Sequence, residues 1–128
     1  MNPDLPGPIV PEHEDMFRGI TTLDWWVADE SRPSSAAFRN PDFSVDIVSL
    51  AVSPDHTLAH LRTGSGIVQF NSGEAQGIGL IPRQEPDPDH PENHAHANVY
   101  NEGNSNQRKK RAQQLVKLCT VVISPSFT

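Results

Sequence analysis

The chain has 128 residues, a hydrophobic fraction of 35%, 12 prolines, one cysteine and a net charge of −6, which together fit one modest domain without an internal disulfide. No apolar run approaches the ~20 residues that span a bilayer, and Met1 to Pro11 carries no Lys or Arg and is broken by four prolines, unlike a secretory leader. With Cys119 the single cysteine, a cytoplasmic setting without membrane association is expected.

The charge is unevenly placed. Residues 1–103 hold five arginines against all 16 acids, a net of −11, whereas residues 104–128 hold Arg108, Lys109, Lys110, Arg111 and Lys117 and no acid. The protein is an acidic body with a basic end.

Residues 1–16 read as a Pro-rich flexible arm, because the fixed φ and missing donors of proline oppose both helix and ladder. Phe17 to Val27 is rich in β-branched and aromatic residues and reads as a strand followed by a turn. The adjacent Trp25 and Trp26 would face opposite ways in an extended chain, one to the core and one to the surface. Residues 28–43, punctuated by Pro33 and Pro41, read as a loop, and 44–52 (SVDIVSLAV) as the best strand. Ser53 and Pro54 then start a helix that runs to about Arg62 and stops at Gly64.

Strands are expected at 66–71 and 78–82, separated by a short helix capped by Ser72. After the acidic, Pro-rich loop 85–93, Ala95, Ala97 and Val99 alternate with His96, Asn98 and Tyr100, the pattern of a half-buried strand. Ala112, Leu115, Val116 and Cys119 recur at i, i+3, i+4 and i+7 in a helix over 104–119 that Asn104 or Ser105 can cap. The expected architecture is α+β: a small mixed or antiparallel sheet, two short helices and one longer C-terminal helix in a single domain over 17–120, with 121–128 a tail or edge strand.

Several constellations can carry chemistry. Two residues apart on a strand, His94 and His96 would point the same way and, with a carboxylate from Asp87, Asp89 or Glu92, offer three ligands for a transition metal, with His90 close by. Arg32, Ser34 and Ser35 gather a guanidinium and two hydroxyls ahead of Asp46, a donor set suited to phosphate or carboxylate. Arg108, Lys109, Lys110 and Arg111 form a basic run that can meet nucleic-acid phosphates, although nearby aromatics are lacking and the acidic body opposes a polyanion. Arg18, followed by Ser34 and Ser35, echoes ADP-ribosyltransferase-like folds, but no Glu-x-Glu downstream completes that pattern.

The segments FRGI (17–20), RPSSAAF (32–38), SVD (44–46), SGEA (72–75) and PDHPENHAHA (88–97), in this order, resemble a group of small bacterial proteins of uncharacterised function. The resemblance covers about residues 17–118 and implies a bacterial cytosolic protein in which Arg32, Ser34, Ser35, Asp46 and His96 form one site. It implies no particular activity. The expected function is therefore a binding or accessory protein for a protein partner or a small anionic ligand. The alternative is an enzyme of phosphate or nucleotide chemistry using Arg32, Ser34, Ser35, His94 and His96, since imidazole is suited to proton transfer near neutral pH. A nucleic-acid-associated role through 108–111 ranks third.

Overall fold

The β-branched and aromatic runs pair into one antiparallel sheet in a computed structural model that describes residues 7–127. Its strands are β1 (Asp15–Ile20), β4 (Asp42–Ile47), β5 (Gly66–Asn71), β6 (Ile81–Gln84), β7 (His96–Tyr100) and β8 (Thr120–Ile123), in the order β6-β7-β4-β1-β5-β8. A separate ribbon pairs β2 (Trp26–Val27) with β3 (Arg32–Pro33). Helices α1 (Val48–Ala51), α2 (Pro54–Leu58), α3 (Ser72–Gly77) and α4 (Ser105–Val116) complete the α+β domain. The expected fold class holds, with every strand pairing antiparallel.

Strand alternation gives the sheet two different faces. Met16, Ile20, Val45, Ile47, Val68, Phe70, Ala97 and Val99 pack with Phe38, Ala112 and Leu115 in the main core. Phe38, Phe43 and Phe70 meet there in tilted and edge-on pairs, the geometry that aromatic quadrupoles prefer. The opposite face carries the smaller cluster of Phe17, Ile67, Ala51 and Ala95. Asp46 and His96, paired across β4 and β7, share the face of Phe17, which lies opposite Asp46 in β1.

Helix α4 forms as its periodicity dictates: Asn104 and Gln107 close a capping box, and Ala112 and Leu115 are the buried pair. Elsewhere local structure departs from expectation. The strand expected over 44–52 ends at Ile47, the last β4 residue with a partner on β1, and the chain satisfies itself through Val52 N–H to the Val48 carbonyl. Helix α2 starts as expected, with the Ser53 hydroxyl accepting from Asp55 N–H and Pro54 in the first turn, but ends at Leu58. Beyond it, His60 and Leu61 bond back three residues in tighter turns. Asn71, rather than Ser72, caps α3, because the Ser72 hydroxyl donates instead to the Val10 carbonyl. Trp25 lies in a 3-10 turn, so the alternation argument fails and both tryptophans are half-buried against the main core.

The N-terminal arm also differs from a loose tether. Residues 1–6 lie outside the described part, but Val10 is buried, and its N–H and carbonyl bond to the Pro82 carbonyl and the Ser72 hydroxyl. Ile9 forms a bridge with Arg83. At the other end β8 is an edge strand on β5, and Ser126 N–H bonds the Gly64 carbonyl.

Candidate functional site

The β1–β4 ladder pairs Met16 with Ile47 and Phe17 with Asp46, and then the strands diverge. Arg18 fills the split. By alternation its side chain belongs to the main-core face, and its guanidinium caps one carbonyl of the 35–38 turn and one of β4. It donates through Nε and one terminal nitrogen to the Ala37 carbonyl, at 3.2 and 2.9 Å, and through the other to the Ser44 carbonyl at 3.1 Å. Trp25 and Phe43 cover it, with ring centroids 4.5 and 5.2 Å from Cζ, so ring quadrupoles and carbonyl dipoles carry its charge. Among the described residues no carboxylate lies within ion-pair distance of Arg18. Burial lowers its pKa to about 10, so the side chain stays cationic at neutral pH.

Arg18 borders an open cavity of about 200 Å³, lined also by Thr21, Ser44, Asp46, Thr57, His60, His90, Asn93 and His96. The volume suits a ligand somewhat larger than benzene, which an engineered cavity of about 150 Å³ holds. Asp46 is 5% exposed, and its carboxylate accepts from Thr57 Oγ1 at 2.7 Å and Asn93 Nδ2 at 2.8 Å. Asn93 Oδ1 in turn accepts from Ala95 N–H and lies 2.8 Å from His56 Nε2. Two turns of chain distant in sequence, α2 and the 87–93 loop, are thereby fixed to β4 through one buried carboxylate.

His96, 4% exposed, lies 2.7 Å through Nδ1 from the Glu85 carbonyl. A carbonyl only accepts, so Nδ1 carries hydrogen and the neutral ring presents Nε2 as an acceptor. That Nε2 is buried without a hydrogen-bond partner among the described residues. Behind His96, Glu85 accepts from Tyr100 Oη at 2.6 Å, from Asn98 and from Gly7 N–H. Burial acts to raise the Glu85 pKa, but these hydrogen bonds and the Arg83 charge outweigh it and hold the carboxyl below its ordinary value. The hydrogen bond to Glu85, with burial and the negative charge of Glu85, pushes the Tyr100 phenol up to about 12.

Of the five residues expected to form one site, Asp46 and His96 meet at this cavity. Arg32, Ser34 and Ser35 line a different one, of about 560 Å³, beside Gln113, Val116 and Lys117. There Arg32 pairs with Glu30, the Ser34 hydroxyl accepts from Ala36 N–H, and the Ser35 hydroxyl accepts from Arg39. These groups largely satisfy one another, as hydroxyls in loops commonly do.

His94 precedes β7, which starts at His96, so the strand alternation invoked to pair them does not reach it. Both border a shallow depression with Glu85, but His94 belongs to no three-donor group among the described residues. The basic run is divided: Arg108 bonds the Arg39 and Gly103 carbonyls and Arg111 the Glu102 carbonyl, whereas Lys109 and Lys110 are exposed. Burial pushes the Cys119 thiol up to about 12, which leaves it inert as a nucleophile at neutral pH.

Sequence reasoning missed Arg18 as the cation of the cavity, and His56, Thr57, His60 and Asn93 altogether. One signal was available, because His56 and His60 stand four apart at the expected helix and so fall on one side of it. Among the described residues, no helix is long and apolar enough to cross a membrane. Comparison of the chain with protein-family models, with curated proteins and with solved structures finds no match.

Proposed function

We propose that this chain is a small-ligand-binding protein whose Arg18–Asp46–His96 cavity takes a compact phosphorylated or carboxylated metabolite that also carries a hydroxyl group. The observation that carries this reading is the Arg18 guanidinium, a buried cation beside an open cavity with no carboxylate paired to it among the described residues. An anion in contact with it relieves a charge held out of water, which is worth far more there than at the surface. His96 and Asp46, which border the same cavity, suit a hydroxyl on the same ligand. The acidic body disfavours polyanions at long range, and the cavity is too small to enclose a nucleotide.

The test is thermal unfolding in inorganic phosphate against sodium chloride at equal ionic strength, followed by calorimetric titration. Phosphate at about 100 Kd stabilises by about 2.7 kcal/mol, and Arg18→Gln removes that gain whereas Arg18→Lys keeps part of it. The reading is abandoned if neither phosphate nor small carboxylates raise Tm beyond chloride.

A second reading, an enzyme acting on a phosphate monoester, draws on the His96 imidazole bordering the cavity with an Nε2 that has no hydrogen-bond partner among the described residues. Release of inorganic phosphate that disappears in His96→Ala supports it. Binding without turnover leaves the first reading.

A further inference from the structure

We infer that the mouth of the cavity is a transition-metal site, built from His60, His90 and Glu92 and suited to Zn²⁺. Glu92 Oε1 lies 3.6 Å from His60 Nε2 and 3.6 Å from His90 Nδ1. The three donor atoms all fall within 4.8 Å of one another. A tetrahedral ion with bonds of about 2.0–2.1 Å holds its ligand atoms roughly 3.4 Å apart. The two edges at Glu92 are already near that length, and a small rotation of the half-exposed His90 ring closes the third.

The surroundings favour a metal over a passing ion pair. His60 Nδ1 lies 3.1 Å from the His56 carbonyl, which only accepts, so Nδ1 carries the hydrogen and the Nε2 lone pair faces Glu92. An outer hydrogen bond that fixes the tautomer and orients the ring is what metal-ligating histidines use. His90 and Glu92 sit on a loop stiffened by Pro86, Pro88 and Pro91 and by Asp87 Oδ1 accepting from Asp89 N–H. Asn93, the next residue, is bonded to the buried Asp46, so the loop end is anchored. Two imidazoles and a carboxylate select a borderline divalent ion over Ca²⁺ or Mg²⁺.

Three ligands leave a fourth position. His60 and His90 line the cavity, whereas Glu92 lies outside its lining. An open position on the cavity side would let water or a ligand's anionic group complete the coordination. Metal binding here does not depend on the anion reading, and phosphate is left out of the first measurement for that reason.

The experiment uses tag-free protein stripped with chelator, titrated with Zn²⁺ by calorimetry and with Co²⁺ by visible absorption. The expected result is one ion per chain and the intense band of four-coordinate Co²⁺. His60→Ala, His90→Ala and Glu92→Gln each weaken binding by at least the roughly tenfold loss that removing even an outer partner produces, and His94→Ala leaves it unchanged. If His60→Ala proves unfolded by circular dichroism, the loop variants at His90 and Glu92 decide alone. Absence of stoichiometric binding, or binding that survives at His90 and Glu92 but is lost in His94→Ala, overturns the inference. Phosphate added last perturbs the Co²⁺ band if the open position faces the cavity. An unchanged band in protein that binds both ions overturns that orientation.

Discussion

Asp46 on β4 and His96 on β7 stand directly opposite each other in the antiparallel register, yet hydrogen-bond in different directions. Asp46 reaches to Thr57 and Asn93, and His96 to the Glu85 backbone, so together they fix α2 and both ends of the 85–93 loop to the same point of the sheet. A ligand entering the cavity meets the two groups with both already oriented, which lowers the cost of fixing them on binding.

The Asp46 network makes a graded prediction. Thr57→Val removes one hydrogen bond to a buried carboxylate and costs about 1.5–2 kcal/mol. Asn93→Ala removes a second such bond and also the partner of Ala95 N–H and His56, so it costs about 3 kcal/mol. Urea unfolding measures both. In the Asp46→Asn background the two losses shrink, as coupled sites require, and equal losses with Asp or Asn at position 46 would count against the network.

This network shows where the sequence is legible and where it is not. Helix α4 and strand β7 are visible because period and capping are local properties, written in Asn104, Ala112 and Leu115, and in Ala97 and Val99. That Asp46 faces His96 depends on β7 lying beside β4, a pairing of distant segments that no local pattern specifies. The same holds for His60 meeting His90 and Glu92. Arg18 was hidden for another reason: alternation places it on the main-core face, and only the early end of the β1–β4 ladder opens a gap for its guanidinium. The expected Arg32–Ser35 site rested on composition, and there nearby groups already take up Arg32, Ser34 and Ser35.

The Glu85–Tyr100 pair predicts a particular pH dependence. Glu85 has a folded pKa below its unfolded one, so its contribution is present above the ordinary carboxylate range and is lost as pH falls through the lower folded value. Tyr100 is shifted upward to about 12, so its contribution is complete below the ordinary phenol value and is lost as pH rises through about 12. Glu85→Gln therefore flattens the acid limb of the urea midpoint plotted against pH, and Tyr100→Phe flattens the alkaline one. An acid limb of unchanged slope in Glu85→Gln would place the acid sensitivity elsewhere.

Val52 ends α1 with φ of 71° and ψ of −39°, a positive-φ backbone near the strained γ-turn on a β-branched residue that is 82% exposed. Such a conformation costs about 1–3 kcal/mol, and the exposed side chain offsets little of it. Glycine removes the strain and loses about 0.5–1 kcal/mol to chain entropy, so Val52→Gly raises stability by about 1 kcal/mol, or roughly 3–6 °C in Tm. Val52→Ala keeps a Cβ and recovers less. A Tm that falls in Val52→Gly would show that the positive φ carries no strain.

Gly66 makes the last prediction, at the far edge of the sheet. A Cβ added there would lie 2.6 Å from the Ile123 carbonyl oxygen and 2.6 Å from Pro125 Cδ. The obstacle includes backbone of β8 and the proline after it, so a side-chain rotation cannot clear it. Gly66→Ala therefore lifts β8 from β5 at a cost of about 2 kcal/mol, within the range for overpacking. Because β8 is an edge strand beyond β5, the damage should stay local. Amide exchange of Val121, paired with Val68, is expected to accelerate strongly, whereas Val45 and Ala97 on β4 and β7 keep their protection relative to global stability. Uniform acceleration across all strands would mean that β8 unfolds with the core, and the C-terminal strand would then be part of the cooperative unit rather than an addition to it.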